Sequence, residues 1–438
     1  MEIYDIIRCG CERRVSMRSF GIYTLGCKVN TYESEFIINE LKKHHYVMKD
    51  FDDVCDVYII NTCTVTNNSD SKSKKMIHQA IKRNPHACVV AMGCFVAANP
   101  DYQELGVDIL IGNKDKSKIV SLLDEYFEKK QTIHIFNKDR LKDFEDMYIE
   151  EFPGRTRAFV KIQDGCDNFC TYCIIPYVRG GCRNKDEDKV VSEIEGLIKH
   201  GYQEIVLTGI HTGSYGIDLH ISFAHLLNRL IQIEGLKRLR ISSIEVTELN
   251  EDVLSILRES SILVDHLHIP LQAGSNPILK AMNRKYDLDY YQKKISEIRS
   301  IRPHISISTD VIVGFPGETE KLFQETIDTC QKIGFSKIHV FPYSDRKGTV
   351  ASKMKEKVDN SIKKDRARRL IDVSKELEMN YMKKFLHKEV EVLIEEEKDG
   401  YSYGHTGNFL YVKIKGHYPH NKMVCVEIQD IQYPYCVA

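Results

Sequence analysis

No apolar run in the sequence approaches the ~18 residues of a bilayer span, which excludes a chain threaded through a membrane by helices. The opening residues, MEIYDIIRCGCERRV, contain no apolar segment of secretory length, so a cytoplasmic chain with reduced thiols and no membrane partner is expected. There is no low-complexity tract, and no repeat at a fixed period of about 20 to 50 residues, which argues against disorder and against a solenoid. Strong charge of either sign is missing as well: 62 Lys and Arg face 63 Asp and Glu, a net charge of −1. A surface coated in positive charge is therefore excluded. A local one is not, because residues 345–388 hold fourteen Lys and Arg against seven Asp and Glu. Taken alone, that run reads as a solvated helix face.

What the sequence does have is an ordinary globular composition, 42% hydrophobic and 29% charged, in 438 residues. That is enough for about three domains at about 150 residues each. Up to about residue 140, the apolar runs FGIYTLG, DVYIIN, CVVAMG and DILIG alternate with segments of helical period such as TYESEFIINELKKHH. This pattern predicts a parallel, Rossmann-like α/β sheet over residues 17–140. Residues 1–16 lie outside it, and Met17 is an alternative start.

Between residues 150 and 377 six further strand candidates alternate with helices: AFVKI, EIVLTGI, RLRIS, HLHIPL, SISTDVIVGF and KIHVFPY. Six β/α units can close fully or partly into a barrel or lie open as a doubly wound sheet. From residue 378 to 438 the period changes to two, in EVEVLIE, NFLYVKI and MVCVEI with glycines between, which predicts a small antiparallel β domain.

Fourteen cysteines in a reducing compartment have to be explained by metal binding, catalysis or burial. Cys166, Cys170 and Cys173 follow directly on the first strand of the six-unit series, where the loops of β/α architectures form the working face. Three soft thiolates holding a four-iron cluster leave one iron open for a ligand. The alternative is structural zinc with a fourth ligand from Cys182 or a histidine. A second trio, Cys27, Cys63 and Cys94, closes three successive strands of the first sheet, and neighbouring parallel strands would bring those thiols to one sheet edge. Cys55 and Cys88, at the far ends of their strands, read as core, and Cys182, Cys330, Cys425 and Cys436 read as core or surface. Cys9 and Cys11 receive no role.

The segment DGCDNFCTYC, a C-x3-C-x-aromatic-C pattern with Tyr172 as the aromatic, resembles the radical S-adenosylmethionine superfamily. With TLGCKVN, NTCTVT, MGC and DGCDNFCTYCIIPYVRG together, the chain from Phe20 to its C-terminus resembles the methylthiotransferases. The resemblance implies a partial (β/α)6 barrel between a Rossmann-like domain and a C-terminal TRAM barrel that binds RNA. It implies two 4Fe–4S clusters and S-adenosylmethionine, with Tyr172, Gln272 and Gly314, and Gly317 beside it, near the nucleotide. It further implies that a radical generated at Cys166, Cys170 and Cys173 activates a substrate carbon, and that sulfur is delivered from Cys27, Cys63 and Cys94. The RNA partner would be the tRNA anticodon loop at position 37 and the electron donor a flavodoxin or ferredoxin, with the sulfur donor left unassigned. Lys28 and Val29 in LGCKVN resemble the branch acting on N6-threonylcarbamoyladenosine, rather than on isopentenyladenosine or a ribosomal protein aspartate. Arg179 is then available to a threonyl carboxylate. A non-enzymatic alternative is an RNA-binding protein whose metal sites are only structural.

Overall fold

The computed structural model describes residues 17–99, 105–136 and 140–438, so Cys9 and Cys11 lie outside the described residues. The first sheet is parallel, in the order β2-β1-β3-β4-β5-β6. Its strands are β1 (Ser19–Thr24), β2 (Val47–Met48), β3 (Val57–Thr62), β4 (Cys88–Gly93), β5 (Ile109–Ile111) and β6 (Ile133–Ile135). Helices α1 (Lys28–Lys43), α2 (Asn67–Arg83), α3 (Cys94–Ala98) and α4 (Ile119–Lys129) connect them. β3 and β4 are buried end to end. Val57 and Ile59 pack to one side while Tyr58 and Ile60 pack to the other. That two-sided burial explains why these strands read as continuous apolar runs without alternation. Thr66 starts α2 sharply by accepting a hydrogen bond from the Ser69 N–H at 3.1 Å.

The central unit is an open series of parallel strands. β7 (Arg157–Lys161) is followed by a two-residue strand, β8 (Gln163–Asp164), and by the short helix α5 (Ile175–Val178) before β9 (Arg183–Asn184) pairs back on β8. Helix α6 (Glu187–Lys199) leads to β10 (Glu204–Thr208), α7 (Phe223–Leu230) to β11 (Arg238–Ile241), and α8 (Glu251–Glu259) to β12 (His266–His268). After α9 (Asn276–Ala281) and α10 (Leu288–Ile301) come β13 (Ser306–Val313), α11 (Glu320–Ile333), β14 (Lys337–Pro342) and the long α12 (Asn360–Lys383). Ladders join β7 to β10 to β11 and β12 to β13 to β14. The two halves meet where Leu239 pairs with Leu263 and the Ile244 N–H bonds His268 O at 3.0 Å. Among the described residues β7 and β14 do not pair, so the barrel is partial.

Along each strand one set of alternate residues, such as Val160, Leu207, Leu239, Leu267 and Ile307, packs under the helices. The other set faces the lumen and brings together Arg157, Glu204, Arg240, His266, His268, Ser308 and Asp310, with Phe159, Val206 and Ile312 between them. Lumen residues meet across neighbouring strands, Arg240 with Glu204 at 2.7 Å and His268 with Ser308 at 3.0 Å.

The first sheet lies across the gap in the barrel. On the β7 side, Glu33 of α1 meets Lys161 at 3.1 Å. On the β14 side, Arg346 bonds Asn67 at 2.7 Å and Thr64 at 2.6 Å and pairs with Asp70 at 2.8 Å. The lumen is thus walled by six barrel strands and by an edge of another sheet.

The C-terminal sheet runs β18-β15-β16-β17-β20-β19. Its strands are β15 (Glu389–Lys398), β16 (Tyr401–Thr406), β17 (Tyr411–Lys415), β18 (Met423–Glu427), β19 (Asp430–Gln432) and β20 (Tyr435–Val437). The two-residue pattern identifies β15, β17 and β18. β16 escapes it because Gly404 interrupts the run, and that glycine is required: a Cβ there would stand 2.0 Å from Leu393 O, where the β15–β16 register shifts.

This sheet seats against the N-terminal ends of the barrel strands, opposite the cysteine loop. Arg157 pairs with Glu395 at 3.2 Å and Arg238 with Glu391 at 2.9 Å. Phe409, in a left-handed backbone conformation, stacks on His266 at 5.0 Å and lies 4.7 Å from the Arg240 guanidinium, closing the base of the lumen.

α12 carries much of the basic run and spans residues 377 and 378, so the expected domain boundary falls inside a helix, and a turn over residues 384–388 leads on to β15. The run is not a free cationic face. Arg346, Arg366 and Arg369 are committed to Asp70, Glu318 and Glu320. Lys347, Lys353, Lys355 and Lys364 remain exposed without an ion pair, the first three in the segment that follows β14 at the mouth of the barrel. Among the described residues no helix is long and apolar enough to cross a membrane.

The Arg346 contacts predict that Arg346→Ala loosens the seal on the β14 side at a cost of about 1.5–3 kcal/mol. Hydrogen exchange should accelerate in residues 64–70 and 343–349 while the barrel strands keep their protection.

Candidate cluster sites and the cavity between them

Each cysteine of the first trio sits where its strand ends. Cys27 is the N-cap of α1 after β1, Cys63 follows β3, and Cys94 opens α3 after β4. These strands are adjacent and parallel, so the thiols share one sheet edge, as the spacing predicts. Gly26, at φ +99°, lets the segments approach: a Cβ there would meet Cys63 Cβ at 2.9 Å. Asn30 ties them together by donating to Leu25 O at 2.7 Å and Thr62 O at 2.9 Å.

The second trio lies at the C-terminal mouth of the barrel, with Cys166, Cys170 and Cys173 all half-buried. The loop is fixed through its backbone. Cys166 N–H donates to Gly180 O at 3.1 Å, Cys173 N–H to Cys170 O at 2.9 Å and Thr171 N–H to Met282 O at 3.1 Å. Arg284 donates to Cys170 Sγ at 3.2 Å and pairs with Glu245. His211, held by Glu248 at 2.5 Å, meets Asn168 of the loop at 3.3 Å, and the Cys182 N–H donates to Asp167 at 2.9 Å. Cys182, read as core or surface, is therefore a neighbour of this loop. Cys55, Cys88, Cys330 and Cys436 are buried and Cys425 is exposed, in keeping with their expected roles.

Spacing between the sulfurs separates a cluster from a single zinc ion. A tetrahedral zinc with bonds of about 2.3 Å would hold its sulfurs about 3.8 Å apart. Among the described residues, the only trio of His, Cys, Asp or Glu whose ligand atoms all lie within 4.8 Å of one another is His268, Asp310 and His339. In neither cysteine trio, therefore, do all three sulfurs lie within 4.8 Å of one another, so neither is gathered around a single zinc ion. All six thiols are free. Burial raises the Cys27 and Cys63 thiols and pushes Cys173 up to about 12, so metal must displace their protons.

The charge around the first trio points the same way. Arg179, directly after α5, is wholly buried. It donates to Glu33 at 3.1 Å, Asp164 at 3.0 Å, Asn30 at 2.6 Å and Cys94 Sγ at 3.2 Å. Lys116 and Lys161 also meet Glu33, and Lys161 and Arg183 meet Asp164. Burial alone would raise the Glu33 and Asp164 carboxyls, yet these cations hold both below the ordinary carboxylate range. Four buried cations thus surround two buried carboxylates. The remaining positive charge faces Cys94 and Cys27, where an anionic, thiolate-ligated group balances it. The donor set and its field fit an iron–sulfur cluster.

Arg179 is consequently no free cation for a substrate, which corrects the expectation from sequence. Its segment also joins the trios: Ile174 and Val178 pack on Cys94, so the helix after one cysteine loop lies against the helix that begins at a cysteine of the other.

The residues expected near a nucleotide ring the mouth. Tyr172 is half-buried against the barrel core. Gln272 is half-buried at φ +66°, its backbone bridged to Asp310 and Ile312 and its side-chain amide without a partner among the described residues. Gly314 occupies the turn after β13 at φ +71°, where a Cβ would meet Lys363 Cγ at 2.3 Å, so the turn alone explains the glycine. Gly317 has φ +84° in the same turn. Sequence reasoning missed Arg284 and the network of Glu33 and Asp164, for which no local pattern exists. His211 stood within the strand-end segment TGIHTGS. His268, with Nδ1 3.0 Å from Ser308 Oγ and Nε2 3.3 Å from Asp310, links β12 to β13.

Replacing Arg179 by Met should lower the unfolding free energy by about 3 kcal/mol or more, measured by denaturant titration. Arg179→Lys should recover only part of this, because an ammonium cannot fork among four partners.

Two regions match known families: residues 160–330 the Radical SAM superfamily, and residues 19–112 the Uncharacterized protein family UPF0004. Over 430 residues the chain is 42% identical to the threonylcarbamoyladenosine tRNA methylthiotransferase MtaB of Bacillus subtilis (strain 168), covering 96% of this chain and 95% of that protein. It is 37% identical to the tRNA-2-methylthio-N(6)-dimethylallyladenosine synthase of Clostridium botulinum (strain Langeland), over 86% of each chain. Among solved structures, the radical S-adenosylmethionine methyltransferase TsrM of Kitasatospora setae, with cobalamin and a [4Fe-4S] cluster bound, shares the fold. Its TM-score is 0.53 at 13% identity, covering 74% of this chain and 75% of that one. With identity of this order along nearly its whole length, and two cysteine trios joined by the packing of α3 on α5, the chain belongs to the radical S-adenosylmethionine methylthiotransferase family.

Proposed function

We propose that the protein places a methylthio group on C2 of N6-threonylcarbamoyladenosine 37 in the tRNA anticodon loop, giving 2-methylthio-N6-threonylcarbamoyladenosine, in the cytoplasm. The observation that carries this reading is the approach of the two cysteine trios through α3 and α5. Relatives named for N6-threonylcarbamoyladenosine in Bacillus subtilis and Aquifex aeolicus, at 42% and 39% identity, support the substrate branch. When bound, two 4Fe–4S clusters and S-adenosylmethionine supply the one-electron cleavage and sulfur-transfer chemistry.

The chain's own groups bind, orient and shield. Cys166, Cys170 and Cys173 hold one cluster and Cys27, Cys63 and Cys94 the other. Tyr172, Gln272 and the Gly314 turn receive the nucleotide. Arg284 and Arg179 steady the thiolates at Cys170 and Cys94 by donating to sulfur. The first sheet covers the gap in the barrel and Phe409 covers its base, which keeps bulk water from the lumen. Residues 17–140, 150–377 and 378–438 act as cluster-bearing, radical-generating and RNA-binding units. On the last of these, Tyr403, Tyr411 and Tyr435 cluster with centroids 5.1 to 6.0 Å apart, and Lys413 lies 4.0 Å over Tyr401, an aromatic and cationic face suited to RNA. A flavodoxin or ferredoxin supplies the electron.

Anaerobically purified protein should hold about eight irons, four per cluster. The triple variant Cys166→Ala, Cys170→Ala, Cys173→Ala should keep about half and form no 5′-deoxyadenosine with dithionite. The variant Cys27→Ala, Cys63→Ala, Cys94→Ala should still form it but make no methylthio product. Nucleoside mass spectrometry of tRNA from a deletion strain should show loss of the threonylcarbamoyl product, and loss of the isopentenyl one instead would refute the substrate. Replacing Lys347, Lys353 and Lys355 by Ala should weaken tRNA binding across sequences and lower the slope of log affinity against log salt by about 2.

A further inference from the structure

Lys28 stands between Cys27 and the buried Val29, at the first position of α1. Its side chain is open to solvent, yet the solvent is that of the cavity. The charges acting on it are Arg157 of β7, Glu204 of β10, Arg240 of β11 and Asp310 of β13, all of them lumen residues. Each of these already has a partner. Arg157 pairs with Glu395, Arg240 with Glu204, Arg238 with Glu391, and Asp310 with His268. Lys28 has no hydrogen bond or ion pair among the described residues. Four cations, Lys28, Arg157, Arg238 and Arg240, thus stand among four carboxylates, Glu204, Glu391, Glu395 and Asp310, and of these cations Lys28 alone has no partner among the described residues. The two terminal nitrogens of the buried Arg240 also lack hydrogen-bond acceptors. Lys28 is therefore the cation of that set whose charge no neighbour meets, and its exposed side chain is the one a ligand can reach.

What fills this gap follows from the chemistry of the base. C2 of adenine must approach whatever Cys27 helps to hold, and N6 is separated from C2 only by N1 and C6. A substituent on N6 therefore emerges on the ring edge beside the reacting carbon, within reach of a lysine side chain rooted next to Cys27. A threonylcarbamoyl substituent ends in a carboxylate. An isopentenyl substituent is apolar and would leave the ammonium unpaired in a partly desolvated cavity.

We propose that Lys28 is a specificity-determining residue that receives the carboxylate of the threonylcarbamoyl group on adenosine 37. The inference rests on the substrate reading above and goes beyond it by naming the group that reads the charge. Arg240 and Arg157 reinforce the site by field, and Lys28 makes the contact.

The test uses the anaerobically purified holoprotein and three anticodon stem–loops, carrying N6-threonylcarbamoyladenosine 37, its methyl ester, or N6-isopentenyladenosine 37. The ester keeps the shape and removes only the charge. Wild-type protein should bind the acid about tenfold or more tighter than the ester. Lys28→Gln should bind the two alike, and Lys28→Arg should restore the preference, with iron content and circular dichroism confirming that both variants are intact. Equal binding of acid and ester by the wild type, or an undiminished preference in Lys28→Gln, overturns the proposal. Should Lys28→Gln lose iron, the wild-type comparison and the Lys28→Arg variant decide it. Methylthiolation of the isopentenyl stem–loop and not of the acid would overturn the substrate reading itself. Methylthiolation of acid and ester, bound with equal affinity, would overturn only the role of Lys28.

Discussion

A single buried guanidinium, that of Arg179, determines how the two halves of the site meet. It follows the cysteine loop of the barrel by six residues, and its four partners come from both units: Glu33, Asn30 and Cys94 from the first sheet, Asp164 from the strand before the loop. Withdrawing such a charge from water is costly unless every donor is satisfied and the counter-charges lie close. The planar fork of arginine meets that condition where a lysine could not. The network works as a register pin: if the sheet slid by one helical turn of α1, Glu33 and Asn30 would leave together and strand the cation.

The pin matters because radical chemistry and sulfur delivery must converge on one base. The polar lumen could not be left open to water, and the barrel, being partial, does not close itself. Closure comes from outside the barrel. The first sheet bridges β7 to the segment after β14 through Glu33 and Arg346, and the C-terminal sheet inserts Phe409 at the base. The six charged and imidazole groups of the lumen are held by neighbours of opposite or complementary character, so the cavity remains polar without being unstable.

The placement of both cysteine trios was legible in the sequence because it follows from local rules: for Cys27, Cys63 and Cys94 a thiol at the end of each of three neighbouring parallel strands, and for Cys166, Cys170 and Cys173 close spacing on the loop after one strand. The α/β alternation was legible for the same reason, whereas the alternation left the closure of the barrel open and only the family resemblance implied a partial one. Contacts between distant segments were not. Arg179 reads in sequence as a cation available to substrate, and only the fold commits it to Glu33 and Asp164, 146 and 15 residues away. The basic run at 345–388 shows its charge but not the carboxylates, such as Glu318 and Asp70, that neutralise part of it. β16 was hidden because a glycine that the sheet needs for close approach looks like a turn former.

Two places on the edge of the first sheet hold positive charge that no carboxylate fully meets, and they make different demands. The one around Arg179 is sealed, shielded from solvent and aimed at sulfur, so it suits a permanent anionic group that never leaves. The one at Lys28 is open to solvent and has no partner among the described residues, so it suits an anion that arrives and departs with each turnover. Water can screen the second between turnovers and cannot screen the first. Cys27 and Lys28, neighbours in sequence, therefore divide the edge of α1 between a resident ligand and a passing one. On this reading, substrate charge is recognised one residue from the point of sulfur transfer, because any cation farther away would have to be reached across a lumen already occupied by the base.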